Sequence, residues 1–168
     1  VKHGWEIISE QLQVTDSNDN EIFEINYKDA FEVYKEVVEN VSESKFESDN
    51  FFDIAKGYPL GIAKISGELV VRDPITTDGR SLICVGTVPQ NSFIHILQGK
   101  ADKLIEAASL ASKNANYEGK HFSLFIDCIS RVLFLEEDFP KEIASIQHDG
   151  ILIGALTLGE IANNKDHY

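Results

Sequence analysis

Apolar and polar positions along this chain follow two periods, and the switches between them mark its elements. Residues 6–14 and 21–26 alternate as strands do, with the turn-forming cluster TDSNDN between them, so the spacing predicts a β-hairpin. Ala30, Phe31, Tyr34, Val37, Val38 and Val41 then recur at helical spacing behind Asn26 as N-cap, with Lys28, Asp29, Glu32, Lys35, Glu36 and Glu39 largely on the other face. A shorter helix through Phe51, Phe52, Ile54 and Ala55, capped by Ser48 or Asp49, stops at Gly57 and Pro59. From Leu60 the pattern reverts to strands, over residues 60–65, 68–73, 81–88 and 92–98. Turn residues bound each of them, which predicts an antiparallel meander. Ala101, Leu104, Ile105, Ala108, Ala111 and Ala115 form the small-residue stripe of a further helix that ends before Gly119.

The stretch from Phe122 to Asn163 organises the rest. Two apolar runs, residues 122–129 and 151–158, flank a helical segment that is interrupted or restarted at Pro140. Parallel neighbours cannot be joined by a tight turn, so a strand, a helical connection and a strand read as a parallel crossover, expected in the middle of a sheet. The fold class that follows is α+β, a largely antiparallel sheet with a central βαβ crossover unit and flanking helices. At 168 residues the length favours one domain over residues 1–168. With Val1 first and no methionine anywhere, that domain reads as one excised from a longer chain.

Charge narrows the partners. Fifteen Lys and Arg face 28 Asp and Glu, a formal net charge of -13, with no terminal acidic block. Such a field repels phosphate backbones and anionic headgroups, so neither nucleic acid nor a membrane surface is expected as partner. No apolar run approaches the roughly 20 residues of a membrane span. Cys84 and Cys128 both lie in apolar runs, too sparse for a disulfide framework, and read as free thiols of a soluble, cytoplasmic protein. Among His3, His95, His121, His148 and His167 there is no zinc-ligand spacing. Gly57, Gly61 and Gly67 precede no helix that would make a phosphate loop. No metal or cofactor is expected.

The residues with chemical potential gather where strands of the crossover end. In open sheets ligands lie beyond the carboxyl ends of strands, and Asp127, Cys128 and Arg131 stand at one such end, Gly159 and Glu160 at the other. Arg131 is one of three arginines, with Arg72 and Arg80. Its planar fork matches a carboxylate as lysine cannot, so it is a candidate anion clamp, against the alternative of a structural pair with Glu160 or Asp127. Glu160 is a candidate partner for a ligand ammonium group, or a carboxylate held by backbone donors, and Gly159 suggests close backbone approach. Cys128 shares a strand face with Phe122, Leu124 and Ile126 and reads foremost as a small hydrophobe. His121 and His148 fall at the opposite edge of the parallel pair from Cys128, which argues against a Cys–His dyad and, with it, against an enzyme. Tyr58 in YPLG and Arg72 in RDP are secondary candidates for a pocket wall and a ligand contact, against a plain turn and a local Arg–Asp pair.

Taken in order, FEINYKDAFEVYKEVV, YPLGI, VVRDP, an acidic-Gly turn, GTVPQNSFIHIL, a strand ending DCISR and finally GALTLGEIAN resemble the C-terminal domain of the FIST family over most of the chain. Family members tend to have Cys, a variable residue, Gly and Arg at the strand end, where this chain has Ser130 in place of the Gly. The resemblance implies a sensory domain of a signal-transduction protein that binds a small ligand, with amino acids or related metabolites as the proposed class. It also implies an N-terminal FIST half and a signalling output domain as partners in the full-length chain. The competing reading is a protein-interaction or dimerisation module without a small ligand.

Overall fold

Strand-forming alternation at the amino terminus builds β1 (Glu6–Ile7), β2 (Leu12–Asn18) and β3 (Glu21–Ile25). The computed structural model describes residues 3–65, 67–115, 122–146 and 150–158. Their contacts divide them into two units: Glu6–Gln98, and residues 3–5 together with those from Gly99 onward.

The first unit continues through β4 (Lys28–Asp29), α1 (Ala30–Val41), α2 (Phe51–Ala55), β5 (Leu60–Ala63), β6 (Leu69–Arg72), β7 (Pro74–Thr76), β8 (Leu82–Cys84) and β9 (Phe93–Gln98). All its strand pairs are antiparallel, in the order β6-β5-β9-β2-β3-β8-β7, with β1 beside β9 and β4 beside β3. Ala30, Tyr34 and Val38, four residues apart on α1, lie over Val14, Ile22, Ile25, Leu60 and Ile94, and all are fully buried. Phe31, Phe46 and Phe51 pack beside Tyr34 with ring centroids 5.5 to 6.2 Å apart. The Tyr34 hydroxyl donates to the Tyr58 carbonyl at 2.7 Å, satisfying its one buried polar atom.

Three local expectations change. The segment 15–20 is strand as far as Asn18, because Thr15 is buried and the Ser17 hydroxyl donates to the Val88 carbonyl at 2.8 Å; the reversal is confined to Asp19 and Asn20. Asn26 does not cap α1. It turns the chain between β3 and β4 at φ 52°, a region asparagine tolerates, and its side-chain oxygen accepts from the Gln13 amide at 2.9 Å. The meander is incomplete, since β8 leaves β9 to pair with β3, and β7 follows on the sheet edge where its Pro74 needs no ladder donor.

The second unit holds α3 (Ala101–Asn114), β10 (Phe122–Cys128), α4 (Ile129–Leu135), a 3-10 turn at Glu136–Asp138, α5 (Phe139–Ile146) and β11 (Ile151–Thr157). Pro140 falls in the first turn of α5, where its missing N–H leaves no hydrogen bond unmade. β10 and β11 are parallel, in register from Phe122 beside Ile151 to Cys128 beside Thr157. The crossover predicted from the pattern is therefore present. Among the described residues it forms its own two-stranded sheet instead of the centre of the larger one. A crossover requires only that its two strands neighbour each other, so the pattern carried no information about which sheet they join.

Across that pair, Ser123, Phe125 and Asp127 share a face with Leu152, Gly154 and Leu156. Phe122, Leu124, Ile126, Ile151 and Ile153 share the other, each between 51 and 66% exposed. α3 packs on α5, with the Ser112 hydroxyl donating to the Ile146 carbonyl at 3.3 Å. Trp5 stacks obliquely on Phe134 at 5.5 Å, and Gly99 passes so close to both rings that a Cβ there would overlap them.

Candidate functional site

The end of β10 leads directly into α4, which places Asp127 four residues before Arg131 on consecutive turns of chain. Arg131 is 7% exposed and its guanidinium is satisfied within the second unit. Nε pairs with Asp127 Oδ1 at 3.2 Å, Nη1 donates to the His3 carbonyl at 2.6 Å, and Nη2 donates to the Leu104 carbonyl at 2.9 Å and to Glu142 Oε1. The carboxylates facing the fork are thus supplied by the chain itself. Asp127 is the partner foreseen in the structural alternative, and Glu142 of α5 is a second.

Glu142 has no exposure at all, and its Oε2 has no hydrogen-bond partner among the described residues. One cation therefore holds two buried carboxylates. Taking such groups out of water costs several kcal/mol per ion, so the cluster's value lies in fixing where the end of β10, α4 and α5 sit relative to one another. Sequence reasoning missed Glu142, although a signal was there: it occupies the apolar stripe of Phe139, Ile143 and Ile146 at positions three or four apart. A carboxylate in such a stripe needs a buried cation.

Beside this cluster an apolar groove of about 280 Å³ opens between α5 and the sheet, lined by Phe125, Phe139, Ile143 and residues 152–156. Gly154 shapes its floor. A Cβ at that position would overlap the Phe125 carbonyl oxygen, so the close approach of the two strands depends on glycine. The turn that leads into the groove's Phe139 carries Glu136, Glu137 and Asp138, the first with φ 47°, a conformation a non-glycine residue rarely adopts. Asp138 pairs with Lys141 at 2.5 Å on the surface.

The other sequence candidates are dispersed. Cys128 ends β10, half-buried on the face of Phe122, Leu124 and Ile126. Arg72 and Tyr58 belong to the first unit. Arg72 Nε donates to the Thr87 carbonyl at 3.1 Å and Nη1 to the Val71 carbonyl at 3.0 Å, while Tyr58 accepts the Tyr34 hydroxyl through its carbonyl and meets Gln98 Nε2 at 3.5 Å through its own. Gly159 and Glu160, with His121 and His148, lie outside the described residues. Cys84 is buried, and desolvation first, then the charge of Asp73, pushes its thiol up to about 12 against a smaller opposing effect of Arg72. Among the described residues no three His, Cys, Asp or Glu gather as metal ligands, and no helix is long and apolar enough to cross a membrane.

A family model described as the FIST C domain matches residues 30–163. Neither a curated protein nor a solved structure matches the chain.

Proposed function

The chain belongs to the FIST C domain family, whose members are sensory domains of signal transduction, and we propose that this one reads a small organic ligand through the groove between α5 and β11. The observation that carries the reading is that groove, lined by the apolar Phe125, Phe139, Ile143 and residues 152–156. Amino acids with large apolar side chains and related carboxylates are the starting class. Burying such a side chain contributes about 1.5–3 kcal/mol, which by itself is short of the roughly 4 kcal/mol of a millimolar complex. The ligand therefore needs polar contacts at the rim, and its affinity is that of a metabolite sensor.

A route from occupancy to output follows from α5. Phe139 and Ile143 line the groove while Glu142, between them, holds Arg131. A ligand that shifts α5 acts on the ion cluster at the end of β10. The fuller proposal is a cytoplasmic sensor in a longer signalling chain, working with an N-terminal FIST half and an output domain.

Thermal unfolding against a panel of amino acids and carboxylates, followed by Trp5 fluorescence, tests the reading. A ligand at a hundredfold over its Kd adds about 2.7 kcal/mol, a midpoint rise of roughly 5–10 °C at this size. The rise should shrink in Phe139→Ala, which removes one wall without touching the cluster. A flat panel, or a rise unaltered by Phe139→Ala, overturns the reading.

A further inference from the structure

Independently of the groove, we infer that the open face of the β10–β11 pair docks a second copy of this chain, as a weak twofold dimer. Phe122, Leu124, Ile126, Ile151 and Ile153 are half to two-thirds exposed on that face. At roughly 100 Å² each they present about 500 Å² of apolar surface, toward the upper end of what monomeric proteins leave in water. Parallel strands are ordinarily covered on both faces, and a two-stranded sheet gains stability only by packing on something else. Two such faces brought together bury about 1,000 Å², the least a specific interface needs and the size of a transient one.

The occupant follows from how side-chain size is distributed along the face. From the amino to the carboxyl end its registered pairs are Phe122 with Ile151, Leu124 with Ile153, Ile126 with Ala155 and Cys128 with Thr157. The face thus tapers from two large side chains at one end to two small ones at the other. A twofold axis lying between two copies and across the strands reverses one pair on the other. Phe122 then meets Cys128, Ile151 meets Thr157 and Ile153 meets Ala155 of the other copy, large over small, as interdigitating layers about 10 Å apart require. An axis along the strands would instead set Phe122 against Ile151 and leave the far end hollow. None of these positions is charged, so the contact buries no unpaired charge. The formal net charge of -13 makes two copies repel each other. Repulsion and small area together put the dissociation constant on the order of 10–100 µM. In dilute unfolding titrations the face is therefore open.

Sedimentation equilibrium of the whole chain, from about 5 µM to about 1 mM, tests the inference. The average mass should rise with concentration from one chain toward two. The rise should be steeper at about 0.5 M salt than at about 0.05 M, because salt screens the repulsion between acidic copies. Leu124→Thr should weaken the dimer at least about fivefold while leaving Trp5-detected unfolding of the dilute protein unchanged. Ala155→Leu adds apolar surface at the small end, where Ile153 of the other copy must fit, and should also weaken the dimer. A face that is merely adhesive would bind more tightly with that leucine. Tighter association of Ala155→Leu, or a dimer that Leu124→Thr leaves unaltered, overturns the inference. So does a chain that stays single at every concentration, which leaves the face to a different protein. A dimer with a flat ligand panel upholds this inference and sinks the groove reading alone.

Discussion

Replacing Arg131 by alanine measures what the buried cluster contributes. The substitution removes the guanidinium that Asp127, at 7% exposure, and Glu142, with none, both meet. Breaking a buried ion pair by removing one partner destabilises by about 3–5 kcal/mol, and loss of the packed side-chain stem adds to it. With a urea slope of about 2 kcal/mol/M, the midpoint should fall by roughly 1.5–2.5 M. Trp5 is the one tryptophan in the chain and stacks on Phe134 in the same unit, so its fluorescence follows the unfolding of that unit by itself. A probe confined to one unit is needed because the contacts separate the chain into two. The triple variant Asp127→Leu, Arg131→Met, Glu142→Leu removes the charges and keeps the volume, and should recover most of the loss, since apolar replacement of a whole buried cluster is often neutral or better. A loss below about 0.5 kcal/mol for Arg131→Ala, the scale of ordinary surface substitutions, would refute the reasoning. It would mean that the guanidinium is not held by the chain's own carboxylates and is available to clamp a ligand.

Titration of Asp29 and Asp78, followed residue by residue by NMR, should give midpoints below the ordinary 3.8, set for Asp29 mainly by the Arg80 side chain and for Asp78 mainly by the Ser81 and Arg80 backbone amides. Because both folded values are depressed, what they add to stability is present above the unfolded value and is lost as pH falls through the folded one, below 3.8. Arg80→Ala should return Asp29 toward 3.8 and leave Asp78 low, since the backbone donors remain; equal movement of both would count against the assignment. Cys84, with its thiol near 12, should resist alkylation at pH 8 in the native protein and react on unfolding, as mass mapping of labelled peptides would show; rapid native labelling of Cys84 would contradict its burial. Leu124→Thr and Ile153→Thr, both on the open face of the β10–β11 pair, should each change stability by no more than about 0.5 kcal/mol in urea titrations. A loss of 2 kcal/mol or more would show that face to be covered.

What could be read from the sequence was what depends on neighbours in the chain. The helices at Ala30–Val41 and Ala101–Asn114 follow from local period and the restart of the helix from Pro140, and the structure holds all three. Asn26 misled because the same residue serves as a helix cap or as a left-handed turn, and only the cross-strand bond to Gln13 decides between them. The meander failed for a similar reason. β8 joins β3, sixty residues earlier in the chain, through the pairs Glu21 with Ile83 and Ile22 with Leu82, and no local spacing encodes that choice.

The candidate site shows the same limit from the side of packing. On β10 the alternating apolar residues are Phe122, Leu124 and Ile126, and a pattern rule takes them as the buried face. In the structure they are the exposed ones, and the face of Ser123, Phe125 and Asp127 packs beneath the helices. The choice follows from charge: Arg131 is buried, Asp127 meets it at 3.2 Å and Glu142 completes the cluster, so the face carrying Asp127 must turn inward. An ion cluster drawn from β10, α4 and α5 thus overrides the hydrophobic pattern of a strand. Parallel sheets are ordinarily covered on both faces, and this inversion leaves apolar surface in the open on one side of the pair while the groove forms on the other. Phe139 and Ile143 shape that groove three residues before and one residue after Glu142, which makes the helix proposed to receive the ligand the same helix whose position the buried cluster sets.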